Sequence, residues 1–156
     1  MGCIGTMTKE YRQRMYDLLA LYAKPYLAEE PVICVDEKSK QLLEQTRNPI
    51  SARRGTVMKE DYEYRRVGMR NIFMAVEPQG GRRHAEVTLR RTKTDFVRFI
   101  GRLVEKIYGH SQKIHLVLDN LNTHFRQSFV DVLGAERAEQ MLERVQFHYT
   151  PNMEVG

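Results

Sequence analysis

Two short apolar runs, each closed by an aspartate, constrain this chain more than any other feature. Val32-Ile33-Cys34-Val35 leads into Asp36, and Ile114-His115-Leu116-Val117-Leu118 leads into Asp119. Short apolar runs of this kind, the first rich in β-branched residues, read as strands buried on both faces. Between them lies the clearest helical stripe, Phe96, Phe99, Ile100, Leu103, Val104 and Ile107, opened at Thr94 and stopped by Gly109. A right-handed crossover from one core strand to the next makes them parallel. Both carboxylates then emerge at one edge of the sheet, where open α/β sheets place their ligands.

The other elements follow from periodicity. Tyr11, Met15, Leu18, Leu19 and Tyr22 form one helical stripe from Thr8, the N-cap, to Lys24, and Pro25 ends it. Residues 28–31 read as a connector. The first strand is expected to stop at Asp36-Glu37-Lys38, with residues 39–60 a polar loop carrying a short helix. Residues 62–67, 71–77 and 84–89 read as an antiparallel meander, turned at Pro78-Gln79-Gly80-Gly81. Two helices, 125–133 and 135–144, are divided at Gly134, and Val145–Tyr149 is a last strand. The sum is a mixed α/β domain with helical crossovers.

Composition narrows the class. A chain of 156 residues suits one domain with a sizeable core. No apolar run approaches the roughly 20 residues of a membrane span, and no signal peptide opens the chain. Cys3 and Cys34 cannot build a disulfide framework, so a reducing, cytoplasmic setting without membrane is expected. Lys plus Arg number 25 against 20 Asp plus Glu, a net charge of +5 and a pI near 9.3, which leans toward a polyanionic partner.

Paired carboxylates at one sheet edge suit Mg²⁺ or Mn²⁺, which take hard oxygen ligands. Two such ions about 4 Å apart are the usual device for phosphodiester hydrolysis. The plain alternative is that each aspartate forms a turn or caps a helix. Lys38, where an aspartyl-nucleophile phosphatase would carry a second aspartate, counts against that class. Asn120, Asn122 and His124 could orient a metal-bound water or hold a phosphate, whereas Asn122 and Thr123 could equally cap the helix from Phe125. His84, His110, His115 and His148 lack metal-ligand spacing, so zinc is disfavoured. There is no phosphate-binding glycine loop and no nucleophile elbow. Cys34 reads as a core residue. Basic residues gather mid-chain at Arg53, Arg54, Arg65, Arg66, Arg70, Arg82, Arg83, Arg90, Arg91 and Lys93. They are either a solvated face or a surface for the DNA backbone, which positions DNA without reading its sequence.

Several blocks, in order, resemble DDE transposases of bacterial insertion sequences in the mariner-like superfamily. Val32–Gln41 resembles their first catalytic block, Tyr64–Gly68 with Arg70-Asn71 their middle strands, and Arg91–Phe96 the start of their first core helix. Leu116–His124 resembles the second catalytic block, and Phe147-His148-Tyr149-Thr150-Pro151 the lead into the third. The resemblance implies an RNase H-like fold of the retroviral-integrase type, a mixed sheet flanked by helices and preceded by one N-terminal helix. Residues 1–31 would be that helix and its connector, and residues 32–156 a C-terminally truncated catalytic core.

It further implies Mg²⁺ or Mn²⁺ held by Asp36, Asp119 and Glu154 as the catalytic triad. Arg65, Arg66, Arg70, Arg91, Lys93, Asn122 and His124 would contact DNA. The chain departs from the family pattern at two places. Pro151 runs directly into Asn152-Met153-Glu154 with no connecting loop, and residues 1–31 offer no helix-turn-helix. The expected function is metal-dependent strand cleavage and strand transfer at transposon ends, by a dimer acting on DNA in the bacterial cytoplasm and nucleoid. The alternatives are an incomplete remnant that binds DNA or a transposase subunit without cleaving, and an RNase H-like nuclease acting on hybrids or junctions.

Overall fold

The computed structural model describes residues 8–45, 64–119 and 125–151. Helix α1 (Lys9–Ala23) starts where expected: the Thr8 hydroxyl accepts from the Tyr11 N–H at 3.1 Å. It ends at Lys24, whose backbone is extended ahead of Pro25 as the proline ring requires. There follow β1 (Val32–Gln45), β2 (Tyr64–Val76), β3 (Arg83–Thr88), α2 (Lys93–Arg102), β4 (Ile114–Leu118), α3 (Phe125–Leu133), α4 (Ala135–Glu143) and β5 (Val145–Tyr149). They form a five-stranded sheet in the order β3-β2-β1-β4-β5. The β1–β2–β3 meander is antiparallel, while β1, β4 and β5 run parallel, joined by the helical crossovers.

Residue alternation divides the sheet into two faces. Ile33, Phe73, Ala75, Leu116 and Leu118 lie on one face and pack with Val97, Phe99, Ile100 and Leu103 of the α2 region, Phe129 of α3, and Ala138 and Met141 of α4. The Phe73 and Phe99 rings stack at 5.3 Å, and Phe125 meets Phe129 and Phe147 edge to face. The opposite face carries Cys34, His115, Val117 and His148 and is covered in part by α1. There the Tyr22 hydroxyl and Cys34 Sγ are 3.1 Å apart. Cys34 is therefore a half-buried residue of the α1 face and no member of the main core.

Three sequence expectations need correction. The first strand does not stop at Asp36-Glu37-Lys38. Pairing with β4 covers only Val32 to Cys34, but β2 supplies backbone partners as far as Gln45. Beyond Ser39, where β3 also stops pairing with β2, the hairpin is a two-stranded arm, so polar side chains on both faces cost it little. The two expected strands at 62–67 and 71–77 are one strand, β2, which passes through Gly68 with φ of 152°, a conformation glycine accepts readily. The register shift between Leu42 and Leu43 lies opposite this glycine and marks a bulge.

Helix α2 begins at Lys93 rather than Thr94, because Thr92 and Asp95 form a reciprocal capping box. The Asp95 N–H donates to Thr92 Oγ1 at 3.2 Å, and the Thr92 N–H donates to Asp95 Oδ2 at 3.4 Å. The helix closes on a π turn, Leu103–Ile107, with Tyr108 N bonded to Leu103 O at 2.8 Å. Gly109 is required just after it, since a Cβ there would lie 2.8 Å from the Glu105 carbonyl oxygen. Arg144 ties this turn to the strands. Its guanidinium donates to the carbonyls of Val104 (3.0 Å), Tyr108 (2.8 Å) and Ser111 (2.6 and 3.2 Å).

Candidate active site

The parallel pairing expected from the two apolar runs is present. Ile33 lies opposite Leu116, and Cys34 opposite Val117. Carrying that register two residues further sets Asp36 level with Asp119. Both fall on the Cys34–Val117 face, on strands spaced about 4.8 Å apart where they pair. Asp119 is the first residue past the end of β4, and both aspartates are exposed. The apolar strands beneath therefore fix the backbone, while the carboxylates face solvent, the arrangement a substrate-accessible site needs.

Each carboxylate is already oriented. Asp36 Oδ1 accepts from the Glu37 N–H at 2.8 Å. Asp119 Oδ1 accepts from the Thr150 hydroxyl at 2.8 Å, and the Thr150 N–H donates to the Leu118 carbonyl, also at 2.8 Å. The Glu37 N–H and the Thr150 hydroxyl each engage one carboxylate oxygen. The second oxygen of each acid is the donor that a cation would use. An oxygen-only pair of this kind fits Mg²⁺ or Mn²⁺, since Mg²⁺ is commonly held by one or two carboxylates together with substrate phosphates. Among the described residues no three His, Cys, Asp or Glu side chains gather around one point. Glu154, Asn122 and His124 lie outside the described residues.

The basic candidates separate by face. Lys40 pairs with Arg70, Lys38 with Ile72 and Asp36 with Met74. Alternation therefore puts Lys38, Lys40 and Arg70 on the same face as Asp36, in a basic stripe leading out along the arm. Arg70 Nη1 donates to the Met69 carbonyl at 2.9 Å. Arg65 and Arg66 continue β2 opposite Glu44 and Leu43, and their side chains are outside the described set. Lys93 is exposed on the first turn of α2. Arg91 is placed otherwise: its Nε meets Glu37 Oε1 at 2.5 Å. Glu37 alternates to the face opposite Asp36, so the largely exposed Arg91 is paired on the other side of the strand.

Three features escaped the sequence reading. Lys38 and Lys40 gave a signal, the alternation Asp36-x-Lys38-x-Lys40, but only to a reader who continues β1. Thr150 gave none, because its meeting with Asp119 depends on the β4–β5 register. The same holds for His115 and His148, whose Nδ1 and Nε2 are 3.0 Å apart across the two strands. They line a cleft of about 530 Å³ beneath α1, together with Asp17, Lys24, Glu30 and Lys113. Burial lowers the His115 pKa, as do His148, Lys113 and Lys24, while Glu30 opposes them. Burial likewise lowers that of His148, against an upward pull from Asp17.

Comparison with known proteins decides the family. The profile of the DDE superfamily endonucleases matches residues 31–153, the greater part of the chain. The chain belongs to the DDE superfamily endonuclease family. No curated protein matches it. Among solved structures, it is similar to the Mos1 mariner paired end complex with Mn, with a TM-score of 0.50 and 13% identity, over 97% of this chain and 44% of that one. It is also similar to the Mos1 transposase paired-end complex with left transposon end, with a TM-score of 0.51 and 12% identity, over 99% and 44% of the two chains. At this identity the likeness establishes the fold, which is RNase H-like as expected. The DDE family chain described here spans 44% of the length of those solved chains. No helix among its described residues is long and apolar enough to cross a membrane.

Proposed function

We propose that this chain is the catalytic core of a DDE transposase, cleaving DNA at transposon ends and transferring the strand into target DNA. The observation that carries this reading is the parallel β1–β4 pair, whose register, carried on, brings the exposed Asp36 and Asp119 to one edge and face of the sheet next to a basic stripe. Asp36 and Asp119 would hold Mg²⁺ or Mn²⁺, with Glu154 as the third ligand. Such ions, when bound, activate water and stabilise charge on the phosphate oxygens.

The chain's own residues supply the rest. Strands β1 and β4 fix the two acids on packed backbone. Lys38, Lys40 and Arg70 offer phosphate contacts leading to them, with Arg65, Arg66, Lys93, Asn122 and His124 as further contacts. Arg91 is paired with Glu37 on the other side of the strand from Asp36. These contacts are to the DNA backbone, so they position DNA without reading its sequence. The solved Mos1 structures that this chain resembles are paired end complexes, which supports a dimer acting on two ends. The same reading puts the protein on DNA in the cytoplasm of a bacterium.

The test is nicking of supercoiled plasmid in Mn²⁺ by wild type, Asp36→Asn and Asp119→Asn. Nicking by wild type that both substitutions abolish is the expected result. Nicking by all three proteins alike, or by none, contradicts the proposal.

A further inference from the structure

We infer that Thr150 is a positioning residue for Asp119, aiming the carboxylate at the divalent ion. The inference rests on the metal-dependent reading above and names a residue that reading did not require. Asp119 stands just past the last residue of β4 and is exposed, so burial does not fix its rotamer. Thr150 stands just past the end of β5, level with it, because Leu118 pairs with Tyr149. Two bonds from Thr150 then act on adjacent residues of β4. Its N–H holds the Leu118 carbonyl and its hydroxyl holds Asp119 Oδ1, each at 2.8 Å.

The first bond fixes where Thr150 sits, and Pro151 restrains the backbone at that point. The second is a charge-assisted hydroxyl–carboxylate bond. It engages one oxygen of Asp119 and restricts rotation of the carboxylate, leaving the other oxygen for the cation. A ligand held in this way loses less freedom when the cation arrives. Partners of this outer kind typically change metal affinity by 10–100-fold when removed. Serine keeps the hydroxyl, whereas valine keeps the branched shape and loses it. The backbone bond to Leu118 is common to all three residues.

The test is Mn²⁺ binding to the full chain without DNA, followed by the electron paramagnetic resonance signal of free Mn²⁺. Wild type, Thr150→Val, Thr150→Ser and Asp119→Asn are compared, with thermal melting of each as a check on folding. Thr150→Val is expected to bind Mn²⁺ about tenfold more weakly, with melting unchanged and with the Mn²⁺ needed for half-maximal nicking raised by the same factor. Thr150→Ser is expected to match wild type. If Thr150→Val melts below the assay temperature, Thr150→Ala against Thr150→Ser makes the same comparison. Wild-type affinity in Thr150→Val, or equal weakening in the valine and serine variants, overturns the role of Thr150. Binding by wild type and Asp119→Asn alike overturns the metal-site reading itself, and this inference with it.

Discussion

Replacing Arg144 with methionine tests how the helical layer is joined to the parallel strands. The guanidinium satisfies three carbonyls, those of Val104, Tyr108 and Ser111, and all three residues are themselves buried. Hydrogen bonds from a charged donor contribute about 1.5–3 kcal/mol each. Arg144 is only half-buried, so the low end applies, and three acceptors give a loss of about 4.5 kcal/mol. Methionine retains most of the stem and its packing, so the change isolates the hydrogen bonds. Small domains are stable by only about 5–15 kcal/mol, which makes this one of the costliest single substitutions outside the apolar core. Urea denaturation followed by circular dichroism reads it directly. With a slope near 2 kcal/mol/M, the midpoint should fall by about 2 M. A loss below about 1 kcal/mol would refute the reasoning, since the π turn would then be held without the arginine.

Two further outcomes follow from the fold. Burial lowers the pKa of both His115 and His148 from the usual 6.5, so the unfolded chain binds more protons than the folded one below that value. Stability should therefore be level above about pH 6.5 and fall as pH drops through it, down to the depressed folded-state values; urea midpoints across this range should show the fall, and His148→Gln should make it shallower, with the burial of His115 accounting for what remains. Asp17, Glu30, Lys24 and Lys113 face the pair and remain in place in that variant. Thr92→Ala breaks the capping box of α2 and should lower stability by about 1 kcal/mol in the same urea assay, while Thr94→Ala should change it much less.

Much of the site was legible because its signal is local. An apolar β-branched run ending in aspartate is visible in the string alone, and the helix between two such runs implies their parallel order. The placement of Asp36 and Asp119 at one edge of the sheet needed no other information. The meander was legible from its turn residues, although its boundaries were not. A strand that leaves the sheet as a two-stranded arm has no buried face, so residues 39–45 show no hydrophobic alternation to mark it. Cross-strand partners such as Thr150 with Asp119 and His115 with His148 depend on register, which no single segment encodes. The α2 cap was legible in principle, since Thr92-x-x-Asp95 is a capping pattern, but Thr94 lies nearer the start of the apolar stripe.

The central claim is that Asp36 and Asp119 share one divalent ion. Substituting Fe²⁺ for the native ion, with ascorbate and peroxide, generates hydroxyl radicals at the metal that cut nearby backbone. The account predicts cleavage at two separate stretches of the chain, around residue 36 and around residue 119, both suppressed by excess Mg²⁺ and both lost in Asp119→Asn. Cleavage at only one of these stretches, or at both in the Asp119→Asn variant, would contradict it.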